Sequence, residues 1–130
     1  MNSNEAERPF VEKIEQVVKA LQTKDYISAQ EYIKSAMLEN CHAPEVQNLL
    51  GALAELMGDP GLAGKHYRAA NALDPTYKPA RRNLDRITSF SHRAWEESPD
   101  LGNKSENEEA IPYILEYDEK NIGHLRKREN

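Results

Sequence analysis

The sequence predicts an all-α fold: a short array of stacked helix-turn-helix units, about two and a half of them over five helices, followed by a flexible C-terminal tail. Three observations predict it. Small and bulky residues recur at an offset of 34, pairing Asp25 with Asp59, Ala29 with Ala63, Ile33 with Tyr67 and Ala36 with Ala70. A period of this length belongs to helix-turn-helix repeats. Apolar residues fall at helical spacing and are interrupted at regular turn signals. After Trp95, from Glu96 to Glu109, the apolar side chains almost disappear.

Pro9 suits the first turn of a helix, and Phe10, Ile14, Val17, Val18 and Leu21 then share one face. This face matches Val46, Leu50, Leu53, Ala54 and Met57 at an offset of 36, so the turn before Asp25 is expected to be two residues shorter than its later counterpart. A second helix is expected from Tyr26 to Leu38, where Ala29 and Ala36 let a neighbouring helix approach closely. Asn40 to Ala43 form a link. Pro44 opens a third helix whose Val46, Leu49, Leu50, Leu53 and Met57 make a wide apolar stripe, until Gly58-Asp59-Pro60 forces a turn. A fourth helix spans about Gly61 to Leu73 and stops before Asp74-Pro75. In the fifth, Tyr77, Ala80, Leu84 and Ile87 form an apolar face, and Arg81, Arg82, Asp85 and Arg86 a polar one. A terminal helix with one polar side keeps the end of an array soluble.

The polar stretch Glu96 to Glu109 reads as a flexible linker, because it has too little apolar surface to offset the entropy of ordering. Beyond it, Ile111, Tyr113, Ile114, Leu115 and Tyr117 gather in a short island flanked by Glu108, Glu109, Asp118 and Glu119, the pattern of a docking segment. His124 to Asn130 is a small basic cluster expected to be solvated. The chain therefore divides into a helical domain, 1–97, and a polar, acidic tail, 98–130, with a short apolar segment at 111–117.

The spacing over Pro44 to Thr76 resembles the tetratricopeptide repeat family. Its succession of Leu-Gly, Ala, an aromatic, Ala and Pro appears as Leu50-Gly51, Ala63, Tyr67, Ala70 and Pro75. Lys24-Asp25-Tyr26-Ile27-Ser28-Ala29 is similar to the family's Gly-Asp-Tyr-x-x-Ala turn, with Lys24 in place of glycine. A third unit starts at Tyr77 and is half present, with Asp85 where the family places a small residue. The resemblance implies a right-handed α-solenoid whose first helices line a concave, partner-binding groove. Carried over position by position, with the shifted phase for the first helix, the groove residues are Glu12, Gln16, Lys19, Asn48, Glu55, Arg82 and Arg86. The clamp with which chaperone-binding members grip a C-terminal carboxylate is not matched, since Gln16, Leu49 and Pro79 stand at its asparagine and lysine positions.

Composition narrows the function class. A chain of 130 residues has room for one domain, and 7% aromatic residues with 38% hydrophobic residues suit a thin array better than one deep core. A net charge of -5 argues against a partner bound by neutralising phosphates, so no nucleic acid is expected. No apolar run is long enough to span a bilayer, and the polar start at Met1 to Arg8 does not read as a signal peptide. The single cysteine, Cys41, excludes an internal disulfide and agrees with a reducing, cytoplasmic setting. Beside His42 it makes no nucleophile and base, because adjacent side chains point apart; it reads as a half-buried helix-end thiol.

His42, His66, His92 and His124 are scattered without metal-ligand spacing, and Gly58, Gly61 and Gly64 lack the Lys-Ser or Lys-Thr of a phosphate loop. No catalytic residue, metal or cofactor is expected. The reading is a non-enzymatic scaffold or adaptor that binds an extended, acidic peptide of another protein, with Arg81, Arg82 and Arg86 as the strip that meets its carboxylates. Two alternatives stand beside it. Two and a half units leave apolar edges that a second copy could cover as a homodimer. Alternatively, Ile111 to Tyr117 folds back over the groove, within reach of a linker spanning about 20 Å as a coil, and acts as a regulatory element.

Overall fold

The computed structural model describes residues 3–89, 97–103, 113–117 and 123–127. Residues 3–89 form five α-helices: α1 (Ser3–Gln22), α2 (Tyr26–Glu39), α3 (Pro44–Leu56), α4 (Pro60–Leu73) and α5 (Lys78–Ile87). Each packs against the next. In addition α1 touches α3 and α3 touches α5, so the odd-numbered helices share one surface. Among the described residues no helix is long and apolar enough to cross a membrane.

The turns show why the chain breaks where it does. Lys24 and Gly58 both adopt positive φ, 61° and 88°. Behind them the Asp25 N–H donates to Ala20 O and the Asp59 N–H to Ala54 O, each at 2.8 Å. Both are helix ends closed by one left-handed residue. Each aspartate then caps the following helix: Asp25 Oδ1 accepts from the Ser28 N–H at 3.2 Å, and Asp59 Oδ1 from the Leu62 N–H at 3.0 Å. The two turns superimpose residue for residue at the offset of 34. The expected shortening of the first turn, and with it the offset of 36 for the first helix, is thereby corrected.

Two clusters form the core. Val17, Leu21, Ala29, Ile33, Ala36, Val46, Leu49 and Leu53 join α1, α2 and α3, and Ala54, Ala63 and Tyr67 join α3 to α4, with Leu84 and Ile87 of α5 against them. Close helix approach depends on the small partners. A Cβ at Gly51 would overlap the ring of the fully buried Tyr67, so the glycine provides the socket for that ring.

Several boundaries differ from expectation. The first helix begins at Ser3 and carries Pro9 inside it, and α4 starts at Pro60, whose fixed φ and missing N–H suit a first turn. Cys41 is exposed in the link between α2 and α3, not half-buried. Tyr113, Ile114, Leu115 and Tyr117, placed in a flexible tail by the sequence, lie in a strand, β1 (Tyr113–Tyr117). It pairs antiparallel with β2 (Gly123–Lys127), with Leu115 opposite Leu125. Tyr and Ile favour a pleated strand, and the pairing draws in residues read as a solvated basic cluster. Ile111 and the linker from 104 to 109 lie outside the described residues.

Candidate functional site

The shared surface of α1, α3 and α5 has two unlike halves. On α1, Ile14, Val18 and Leu21 follow helical spacing, with Val18 and Leu21 buried and Ile14 half-buried. At the offset of 34 these correspond to Asn48, Ala52 and Glu55 of α3, so the α1 half is apolar at two positions, Ile14 and Leu21, where α3 is polar. Facing them on α5 are Arg82, Asn83 and Arg86.

The expected linker is not free of this surface. Asp100 is only 6% exposed, because the segment 97–103 returns to lie against α1, α3 and α5. Its backbone is gripped on both sides by one carboxamide: the Asp100 N–H donates to Asn83 Oδ1 at 2.7 Å, and Asn83 Nδ2 donates to Asp100 O at 2.8 Å. Asn48 Nδ2 adds a donor to the same carbonyl at 3.0 Å, and Asn83 Nδ2 also reaches Asn48 Oδ1 at 2.9 Å. Asn48 and Asn83 are 0% and 1% exposed. Buried amides carry a high cost when left without partners, and these two are satisfied by each other and by the backbone N–H and C=O of one residue, Asp100.

The side chain of Asp100 is read as well. Arg82 Nη1 lies 3.1 Å from Oδ2, and the Gly102 N–H donates to Oδ1 at 2.9 Å. Gly102 has φ of 81°, and a Cβ there would run into the Tyr77 hydroxyl. Leu101 turns to the apolar half and packs on the α1–α3 core. Beside it, a cavity of about 620 Å³ is lined by Ile14, Val18, Lys19 and Tyr77. A second, of about 270 Å³, runs between Leu21, Tyr26, Leu56 and Pro99.

Behind Asp100 an ion pair locks α3 to α5. Arg86 Nη2 donates to Glu55 Oε1 at 2.5 Å, with side chains 8% and 14% exposed, and the Tyr67 hydroxyl donates to the same oxygen at 2.8 Å. Burial works against the charge on Arg86, but its hydrogen bond to Glu55 and the carboxylate charge outweigh it and raise the guanidinium pKa. Burial, reinforced by Glu55, likewise pushes the Tyr67 hydroxyl pKa upward.

The sequence-predicted residues therefore separate. Asn48 and Arg82 come together on Asp100. Glu55 and Arg86 are joined to each other inside the fold, and Arg81 is exposed beside Asp85 of its own helix at 3.3 Å. The strip expected to offer three arginines to a partner has two of them held by this chain's own carboxylates, and Arg82 already meets a third. Lys19 stands at the rim of the larger cavity, while Glu12 and Gln16 are exposed and line neither cavity. Asn83, Asp100, Leu101, Ile14, Val18 and Leu21 were missed. The signals for them were the frame of 34 carried into α1, and Pro99-Asp100-Leu101-Gly102 as a turn with one aliphatic residue inside a polar stretch.

Chemically, the site can hold one residue of polypeptide by its backbone, a carboxylate and a neighbouring aliphatic side chain. Among the described residues no group of three or more His, Cys, Asp or Glu side chains is placed to hold a metal ion. No protein-family model, curated protein or solved structure matches the chain.

Proposed function

We propose that the chain is a non-enzymatic binding module, a short solenoid of the tetratricopeptide kind, that holds an extended acidic segment of another protein along α1, α3 and α5. The observation that carries this reading is the pair Asn48 and Asn83, whose buried carboxamides take both backbone hydrogen-bonding groups of one residue, Asp100, outside any helix or strand. Backbone-directed contacts give affinity for polypeptide as such, and the flanking groups give selectivity. Support for the solenoid comes from the identical turns at Lys24-Asp25 and Gly58-Asp59 and from the row of odd-numbered helices. Arg82 supports the preference for a carboxylate.

A display selection of random peptides tests the reading, run on the full chain and on its Asp100→Ala variant. Enriched peptides are expected to lose binding in Asn48→Ala and Asn83→Ala chains and to shift the side-chain amide NMR signals of Asn48 and Asn83. If no enriched peptide depends on either asparagine, the groove is not a receptor for polypeptide.

A further inference from the structure

We propose that the groove's external ligand carries the triplet aspartate, large aliphatic residue, glycine, and that it enters by displacing this chain's own Asp100-Leu101-Gly102. The inference rests on the reading of the groove as a polypeptide receptor and adds what is read and what must leave first.

Each member of the triplet meets a separate feature. The aspartate is selected by Arg82 and by its own bond back to the Gly102 N–H, while Asn48 and Asn83 hold its backbone irrespective of side chain. The second position packs on the α1–α3 core, where an aliphatic side chain gains apolar contact that a polar one does not. The third needs glycine for its φ of 81°, and a Cβ there would also have to push the Tyr77 hydroxyl aside.

The resident segment has the properties of a displaceable occupant. Of residues 97–103 only Asp100 is buried; Pro99 and Leu101 are half-buried and the other four exposed. Leu101 leaves about 620 Å³ of cavity beside it, with Ile14, Val18 and Tyr77 as its apolar wall and Glu15, Lys19 and Glu45 at its polar side, space into which a longer apolar side chain would extend. So short a contact is weak between separate molecules. Here a short stretch of chain joins it to α5, and tethering supplies an effective concentration on the order of millimolar. A free ligand is therefore weakened by the fraction of chains whose groove is closed, and loosening the resident segment restores its full affinity.

The test uses a labelled synthetic peptide, Glu-Ser-Pro-Asp-Leu-Gly-Asn, the sequence of residues 97–103, titrated by fluorescence anisotropy into the full chain and into full-length Asp100→Ala/Leu101→Ala. Binding to the variant is expected to be at least about tenfold tighter than to the parent. Alanine at the peptide's Asp, Leu or Gly should each weaken it by about tenfold or more. Equal affinity for the two chains, or indifference to all three alanine peptides, overturns the inference. If the selection described above meanwhile yields Asn83-dependent peptides without the triplet, the receptor reading stands and only the proposed ligand falls. Circular dichroism establishes that the variant is folded. Should it not be, Asp100→Asn, which keeps the shape and removes the charge, replaces it, with several-fold tighter peptide binding expected and unchanged binding overturning the proposal.

Discussion

Glu55 separates a groove ligand from a structural clasp. Its carboxylate accepts from Arg86 Nη2 and from the Tyr67 hydroxyl, and its side chain is 14% exposed against 8% for Arg86. Glu55→Ala leaves a guanidinium charge in a nearly closed site and a buried hydroxyl without its acceptor. Orphaning one member of a buried pair costs about 3–5 kcal/mol. The loss belongs near the lower end, because Asn83 Oδ1 still lies 3.3 Å from Arg86 Nη2 and a cavity of about 80 Å³ at Glu55, Pro60, Arg86 and Ile87 has room for water. About 3 kcal/mol is a large part of the roughly 5–15 kcal/mol that holds a domain together. Glu55→Gln, which keeps an acceptor and loses the charge, should cost about 1–2 kcal/mol. The double variant Glu55→Met/Arg86→Met removes both charges and should lose clearly less than Glu55→Ala, the remaining deficit being the Tyr67 hydroxyl left without its acceptor. Urea unfolding of the full chain at pH 7, extrapolated linearly to water, measures all three. A loss below about 1 kcal/mol for Glu55→Ala, or a double variant no better than the single one, would refute the clasp and return Glu55 to the surface role its repeat position suggests.

Gly51→Ala should cost about 1–3 kcal/mol by forcing the Tyr67 ring out of its socket; Gly61→Ala, where the nearest atom to the new Cβ is Asp59 Oδ1 at 3.7 Å, should change the urea midpoint little. Lys24→Gly should gain about 0.5–1 kcal/mol in the same measurement, since a lysine at φ of 61° carries strain that glycine does not. Burial holds the half-buried His66 pKa below its ordinary value of 6.5, so the unfolded chain binds more protons as the medium acidifies. Stability is then full above about pH 6.5 and declines as pH falls through the lowered native value. His66→Gln should flatten that slope in melting temperature between pH 7 and 5, and parallel profiles for the two chains would remove the assignment.

How far the sequence reached depends on which interaction placed each residue. Helices two to five were legible because turn chemistry and apolar period agree there: Asp25 and Asp59 cap, Gly58 and Pro60 break, and Ala63, Tyr67 and Ala70 pack. The first helix was placed two residues out of frame. Its apolar stripe continues through Ile14, Val18 and Leu21 onto the surface shared with α3 and α5, so hydrophobicity alone could not distinguish core from that surface. The Lys24-Asp25 turn was recognised although Lys24 stands where its counterpart has glycine; only its length was misjudged, from the apolar register before it.

The site was harder to read because its partners come from distant parts of the chain. Asn48, Asn83 and Asp100 are buried only in one another's company, and each is by composition a surface residue. Arg86 and Glu55 resemble solvated groove positions until the helix spacing brings them to 2.5 Å. The segment 97–103 read as linker because local apolar content was the criterion, whereas Asp100 is held mainly by hydrogen bonds, which composition does not register.

The most direct test of the account is the exchange rate of the Asp100 backbone amide in the full chain, measured by NMR in heavy water. Its N–H donates to a carboxamide oxygen that is itself buried, so protection well beyond that of the exposed Asn103 amide is predicted, falling to the free-chain rate in Asn83→Ala. An Asp100 amide that exchanges at the free-chain rate in the parent protein would contradict the claim that this surface grips a peptide backbone.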